Sequence, residues 1–500
     1  MSAIGLILIL VIGGLLAWLA DRYRPALARW ISIAALALDL AWLLWIWLRA
    51  PAGAVAAAAQ TGAGPWLAQV RLDWIPRFGI ALHFGLDGLS LLFCLLAVLL
   101  GLMAVTASWT EIRARVGFFH LSLLWVLAGT IGVFTALDLF LFFLFWELML
   151  VPMVFVIGLW GHGDSSRAAI KFFLFTQGSG LLLLAGVLIL VFGHQAATGV
   201  LTFDALALRD TQLGPNLAFW AMLGLFLAFA VKMPVVPLHT WLADAHSLAP
   251  TGGSVLLAGI LLKTGGYAMI RFLLPLFPTQ AAHIAPLAMT LGVIGIIYGA
   301  LLAFAQTDIK RLVACSSISQ MGFVLLGIFA SAAAWNPPAI EGAVLLMLAH
   351  GISAAALFMV AGGLRERLRT LDSSHMGGLW GPLPRLSASG LVFAVATLGL
   401  PGFGNFVGEF LVLLGTFRAY PAAASVALLG LIAAAIYALA LVQRAFHGPV
   451  QSNNNGPLTD LGVSETAALG LLAVISLWLG LHPQPLLDLA TGPLTGLVGG

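Results

Sequence analysis

Five ionisable side chains sit inside runs of sequence that are otherwise almost wholly apolar: Glu147, Lys232, Lys263, His350 and Glu409. Acids, lysines and histidines held away from water are the groups that move protons or ions through a membrane. Glu147 stands about ten residues into the apolar run 137–158, in Phe145-Trp146-Glu147-Leu148-Met149, too deep to snorkel to water. Lys232 lies in Val231-Lys232-Met233-Pro234-Val235-Val236-Pro237, and Lys263 in Leu261-Leu262-Lys263-Thr264-Gly265-Gly266-Tyr267. His350 closes Leu346-Met347-Leu348-Ala349-His350, and Glu409 closes Asn405-Phe406-Val407-Gly408-Glu409. Each has a plainer reading. Glu147 could form a structural ion pair, Lys232 could satisfy carbonyls freed by Pro234 and Pro237, and His350 could be a packing residue. A lone charge at mid-bilayer costs at least ~2.5–3.5 kcal/mol. Only 8% of the chain is charged, so five such positions point to use.

The elements that must position them are membrane helices. The chain has 500 residues, 61% of them hydrophobic, and a mean hydropathy of +1.07. No soluble core could hide that much apolar surface, so the expected fold is an all-α polytopic membrane protein. About fourteen transmembrane helices of ~20 residues fit between residues 3 and 486. The first apolar run, 3–20, lacks a basic leader and a cleavage site and reads as a retained helix. The longest polar stretches, 49–80, 194–216 and 447–464, are loop-sized.

Two spans are interrupted. Pro234 and Pro237 remove backbone donors and should break helix 7 beside Lys232. Gly399-Leu400-Pro401-Gly402-Phe403-Gly404 should break helix 12 before Glu409. Breaks five spans apart suggest two five-helix repeats, inverted because five is odd, although Pro and Gly are also common in membrane helices generally. The expected organisation is 1–116 (helices 1–3), 117–275 (first repeat, helices 4–8), 283–446 (second repeat, helices 9–13) and 447–500 (helix 14). Fourteen Lys and Arg fall in alternate loops, against six in the opposite loops, with Lys232 and Lys263 inside spans. The richer face should be cytoplasmic.

Other chemistry is poorly supported. A net charge of +3, spread over short loops, argues against nucleic acid. Cys94 and Cys315 lie in separate apolar runs and form no metal or redox motif. No dinucleotide, phosphate-loop or haem motif occurs, so no cofactor is expected in this chain. His239, Asp244 and His246 follow the first break. Their spacing is not a zinc pattern, and a structural turn or channel mouth is the better expectation. Asp39 reads as packing or as a misplaced boundary. Asp308, Lys310 and Arg311 read as a loop ion pair with lipid-facing anchors.

At these residues the chain resembles the antiporter-like membrane subunits of respiratory complex I, over nearly its whole length. The stretches that carry the likeness include Phe84-Gly85-Leu86-Asp87-Gly88-Leu89-Ser90, Phe145 to Pro152, and His239-Thr240-Trp241-Leu242-Ala243-Asp244-Ala245-His246. Gly252 to Tyr267, Gln306 to Gly322, Asn405 to Phe410 and Gly480-Leu481-His482-Pro483-Gln484-Pro485 add to it. The resemblance implies a fourteen-helix fold with inverted repeats. It implies that Glu147 pairs with Lys232, and that Lys263 and His350 continue a polar axis to Glu409. Related L and N chains, and the D subunit of sodium/proton antiporters, usually have lysine at the position of Glu409. Two residues depart from the family: Ala243 replaces a usual Pro, and Gln320 replaces a usual His. Glutamine cannot carry charge at neutral pH, so a titrating relay at 320 is not expected.

The function so implied is proton translocation driven by electron transfer in partner subunits, which would hold the NAD, flavin mononucleotide, iron–sulfur clusters and quinone. Expected partners are other membrane subunits of the complex, L-like and N-like chains, and lipids, in a bacterial inner membrane. The rivals are a D-type subunit of a sodium/proton antiporter, a non-pumping membrane scaffold, and a free-standing solute carrier.

Overall fold

Inside lipid a helix satisfies its own backbone groups, so the apolar runs become helices. The computed structural model describes residues 3–49, 66–332, 334–448 and 458–498. α1 (Ala3–Ala20) and α2 (Pro25–Arg49) open the chain. An antiparallel hairpin follows, β1 (Ala68–Ile75) with β2 (Ile80–Leu86). Next come α3 (Gly88–Ala107), α4 (Val116–Thr135), α5 (Leu139–Trp160) and α6 (Ser165–Thr198). The middle of the chain forms α7 (Pro215–Lys232), α8 (Trp241–Leu248), α9 (Thr251–Leu276), α10 (Pro278–Phe304) and α11 (Ile309–Ala332). The last third forms α12 (Pro337–Leu368), α13 (Pro384–Thr397), α14 (Gly404–Ala419), α15 (Pro421–Ala445), α16 (Val463–Leu481) and α17 (Gln484–Val498).

Among the described residues, thirteen helices are long and apolar enough to cross a membrane. α13 and α14 have 14 and 16 residues. At 1.5 Å per residue each reaches only about 21–24 Å. They flank the second break, and each alone is shorter than a ~30 Å core. The expected helical membrane fold therefore holds. Two elements go beyond the expectation: the β1–β2 hairpin and the short helix α17. Residues 50–65 and 449–457, within the polar stretches 49–80 and 447–464, lie outside the described residues.

The hairpin is stitched to the start of α5. Asp138 caps α5 by accepting from Phe140 N and Leu141 N, and it also accepts from Ala81 N at 3.1 Å. The Leu137 amide donates to the His83 carbonyl at 2.9 Å. One element of strand thus sets where the Glu147 helix begins.

Three helices form the middle of the bundle. The apolar windows of α9, α11 and α12 are wholly buried, whereas those of α1, α2 and α16 are only 39%, 22% and 28% buried. Lys263 lies on α9, Gln320 on α11 and His350 on α12, so the polar groups occupy the core and apolar faces meet lipid. Apolar contact adds little driving force inside lipid, so close approach through small residues matters. A Cβ on Gly292 of α10 would lie 2.9 Å from the Gly322 carbonyl of α11. Glycine at both places lets those backbones touch.

Two basic residues sit deeper than their sequence neighbours suggest. Arg271, expected in a loop, lies within α9 and is 5% exposed. It donates to both Asp87 oxygens at 2.6 Å, to Ser90 Oγ at 3.1 Å and to Tyr267 Oη at 3.0 Å. Tyr267 Oη in turn donates a hydrogen bond to the Phe134 carbonyl at 2.7 Å. Asp87 also caps α3 through Ser90 N. This network ties α9 to α3 and α4.

Lys310 corrects the expected loop ion pair. α11 begins at Ile309, which turns Lys310 inward, fully buried, to donate to the Ala249 carbonyl at 2.9 Å between α8 and α9. Arg311 pairs with Asp244 at 2.9 Å, and Asp308 caps α11 by accepting from Arg311 N. None of the three is a free lipid-facing anchor. Asp39 is fully buried well inside α2, which settles its boundary.

The Asp87–Arg271 pair predicts a large stability effect. Asp87→Ala should destabilise the fold by ~3–5 kcal/mol, because it strands a buried guanidinium. Thermal unfolding of the purified protein measures this, and a loss under ~1 kcal/mol, the scale of an exposed pair, would contradict the network's role.

Candidate functional site

Glu147 lies in the middle of α5, just before the helix is interrupted at Met149. It is the half-exposed member of the five, while Lys232, Lys263, His350 and Glu409 are all at or below 1% exposure. Its carboxylate rests on Gly180 of α6, where any side chain would collide with it, and Gln177, one turn earlier, is its polar neighbour. Oε1 has no hydrogen-bond partner among the described residues.

Lys232 ends α7 at the first break, where Pro234 and Pro237 separate it from α8. The plainer reading gave its ammonium to carbonyls freed by those prolines. The structure assigns that task elsewhere: Trp241 Nε1 donates to the Val231 carbonyl at 3.0 Å. Lys232 Nζ has no hydrogen-bond partner among the described residues and lies 5.2 Å from the ring centroid of Trp146. Glu147 and Lys232 are electrostatic neighbours. They form no direct ion pair, so the implied pair is held open.

Lys263 sits between two π-helical turns of α9, Leu257–Leu261 and Met269–Leu273. π-turns often mark functional positions because they free a carbonyl and re-aim a side chain. Lys263 Nζ donates to one such carbonyl, that of Ala258. Among the described residues no carboxylate pairs with Lys263. His350, on α12, is fully buried with both ring nitrogens unpartnered, and Lys263 and His246 are its charged or titratable neighbours.

Glu409 lies one turn into α14, after the break that contains Pro401 and Gly402, the latter at φ +106°. Gln320 Nε2 donates to Glu409 Oε1 at 2.8 Å. The Tyr437 hydroxyl of α15 lies beside it. The glutamine that replaces the family's usual histidine is therefore a direct partner of Glu409. The structure brings together Glu147 with Lys232, and Lys263 with His350, and sets Glu409 with Gln320.

His239, Asp244 and His246 diverge, which removes any reading of them as a metal site. Asp244 accepts from Lys171 of α6 at 2.7 Å and from Arg311 of α11 at 2.9 Å. His246 stacks on Phe358 at 4.6 Å, with both ring nitrogens unpartnered. His239 meets the Tyr298 ring edge-on.

One cluster escaped the sequence reading. Glu111, between α3 and α4, accepts from the Thr251 amide at 2.9 Å and meets His162 Nε2 at 3.1 Å. Thr251 starts α9, so Glu111 caps the helix that carries Lys263. Burial pushes the Glu111 carboxyl up, but the His162 bond, the nearby Lys310 charge and the Thr251 bonds hold it below its usual range. Glu111, His162, Arg365, Glu366 and Glu465 line an open cavity of about 1140 Å³. Lys310 is an electrostatic neighbour of His246, and His246 of His350. The only sequence signal was polar residues near span ends, where loop charges are ordinary.

Comparison with known proteins shows the family. The profile of the family described as NADH:quinone oxidoreductase/Mrp antiporter, TM, matches residues 136–436. The NADH-quinone oxidoreductase subunit M of Pseudomonas aeruginosa is 53% identical over 498 residues, covering 98% of this chain and 96% of the relative. The chain belongs to the subunit M family of NADH-quinone oxidoreductases. Subunit M of Escherichia coli K12 is 51% identical over 97% of this chain and 95% of its own. A chain of the structure "Respiratory complex I from Thermus thermophilus with bound NADH" superposes with a TM-score of 0.87 at 33% identity, each chain fully covered. A chain of the Mrp complex from Dietzia shares the fold, with a TM-score of 0.84 at 22% identity over 99% of this chain and 97% of its own. The family expected from the motifs is thus borne out, including its glutamate-bearing branch. The chain is a multi-pass, proton-translocating membrane subunit of a multisubunit NADH:quinone oxidoreductase.

Two predictions follow from the geometry. Gly180→Ala should keep or raise helix stability, since glycine is a poor helix former. It should also displace the Glu147 carboxylate and cut proton pumping on the order of tenfold or more. Full pumping in Gly180→Ala would contradict the contact. Glu111 is depressed in the folded state, so its stabilisation is complete above its unfolded value of 4.5 and is lost as pH falls below it. Wild type should therefore melt above Glu111→Gln at pH 7, and the gap should narrow as pH falls below 4.5; a gap that stays constant across the acid range would oppose this.

Proposed function

We propose that the chain carries protons along Glu147, Lys232, Lys263, His350 and Glu409. The observation that carries this reading is the state of the last four. They are buried in the core, and no ion pair among the described residues offsets them. Buried charge is costly unless it is paired, and this chain pairs Asp87 with Arg271 where it needs structure alone. The unfilled hydrogen-bonding capacity at Lys232, His246, His350 and Glu409 suits water bridging between them.

Electron transfer from NADH to quinone takes place in partner subunits, which hold the nicotinamide, flavin mononucleotide, iron–sulfur and quinone sites. L-like and N-like chains flank this one in a bacterial inner membrane. Glu147 receives the signal, because it is the half-exposed end of the axis. Bringing Glu147 and Lys232 into contact at ~4 Å gains ~4 kcal/mol at an effective dielectric constant of 20. A proton moving against the membrane potential costs ~2.3 kcal/mol per 100 mV. Closing and opening this one pair is therefore large enough to drive one step.

The basic-rich face is cytoplasmic, and protons reach the middle of the axis from the Glu111 cavity by way of Lys310 and His246. They leave from Glu409 on the opposite side. The two breaks, at Pro234–Pro237 and at Pro401–Gly402, occupy matching places in inverted repeats of helices 4–8 and 9–13.

A D-type sodium/proton antiporter subunit is the second reading, favoured by the shared fold alone. Glu409 opposes it, since lysine is usual there in that group. In the assembled complex, Glu147→Gln should lower the number of protons pumped per NADH oxidised. A wild-type ratio would remove Glu147 from the coupling and favour a scaffold role.

A further inference from the structure

We infer that Gln320 is a positioning residue for Glu409, and that its amide divides the two carboxyl oxygens into one held and one that exchanges the proton. This rests on the proposed path through Glu409. Gln320 is fully buried on α11. Its Nε2 donates to Glu409 Oε1 at 2.8 Å and points its remaining N–H toward the Thr397 carbonyl at 3.5 Å. Thr397 is the last residue of α13 and Glu409 belongs to α14. One neutral amide therefore reaches across the second break to both half-length helices.

The other oxygen has a different environment. Glu409 Oε2 has no partner among the described residues. It lies against Gly399, at φ +78°, where a Cβ would collide with it. The glycine thus serves two ends. It permits the backbone turn that breaks the span, and it leaves room for Oε2 on the break.

The chemistry follows from what an amide can do. It donates and accepts hydrogen bonds but takes up no proton at neutral pH. Its N–H holds Oε1 as an acceptor whether Glu409 is ionised or neutral. An arriving hydronium therefore transfers its proton to Oε2: one O–H bond forms on the acid, one breaks on the donor, and water is left. Release reverses this with a second water. Gln320 ends each cycle unchanged. An imidazole at 320 could take the proton sideways from Glu409, and the amide closes that route. Tyr437 of α15 is the other titratable group facing this carboxyl.

The test uses the intact complex in proteoliposomes, with Gln320→Asn, Gln320→Leu and Gln320→His. The Glu409 carboxyl stretch is found by infrared difference spectroscopy as the band lost in Glu409→Gln. Gln320→Asn keeps the amide but withdraws it by one methylene, so it reports even if Gln320→Leu fails to assemble. Gln320→Asn should shift the band to higher frequency and slow pumping roughly ten- to a hundredfold, the scale of one lost hydrogen bond to a charged group. Gln320→His, which keeps an N–H donor but can itself take up a proton, should leave the band close to its wild-type frequency. An unshifted band in Gln320→Asn overturns the positioning role. A shifted band together with full pumping in Glu409→Gln would keep the contact and refute the path on which the inference rests.

Discussion

Everything in this chain answers to the cost of holding charge away from water. The same bundle meets that cost in two ways. At two places the charge is fully paired. Asp87 and Arg271 exchange two 2.6 Å bonds and gather Ser90 and Tyr267 around them. Asp244 takes one cation from α6 and one from α11. Lys232, Lys263, His350 and Glu409 receive no such treatment, although they are at least as deeply buried. A protein that can build complete pairs and leaves these four without a direct ion pair among the described residues keeps them able to change protonation state. Contrast within one chain is a stronger argument than burial alone.

Backbone irregularity is concentrated at the same residues. α7 stops at Lys232, α9 is π-wound on either side of Lys263, and α14 restarts shortly before Glu409. Irregular backbone at membrane depth is tolerated only when protein or a water-lined cavity satisfies it. Here Trp241 fills the Val231 carbonyl, and Lys263 fills that of Ala258. The regular helices α1, α2 and α16 carry none of the five and face outward. Small residues at Gly180 and Gly399 make the space that the two carboxylates occupy.

Much of this was legible from the sequence, and the physical reason is clear in each case. Pro234, Pro237 and the Gly399–Gly404 run announce breaks because they remove donors or adopt positive φ. The five ionisables announce themselves by standing in apolar sequence. Lys310 and Arg271 did not, because each sits near the end of a span, where a charge usually meets water. Their burial depends on which helix lies opposite, and that is a tertiary fact. Glu111 was hidden for the same reason, and the β1–β2 hairpin was hidden within a polar stretch. Gln320 looked in the sequence like the loss of a relay. In the structure it is the residue that grips Glu409, a role that an amide fills as a hydrogen-bond donor without carrying charge.

The most direct test of the account is the proton yield per NADH oxidised, measured in reconstituted complex with Lys232→Ala and Lys263→Ala combined, after normal assembly has been confirmed. These two residues lie between the half-exposed acid and the buried histidine, so every version of the axis runs through them. The account predicts that the yield falls, because this subunit's share of the pumping is lost. A yield equal to wild type at equal turnover would contradict it and leave the buried charges as structure only.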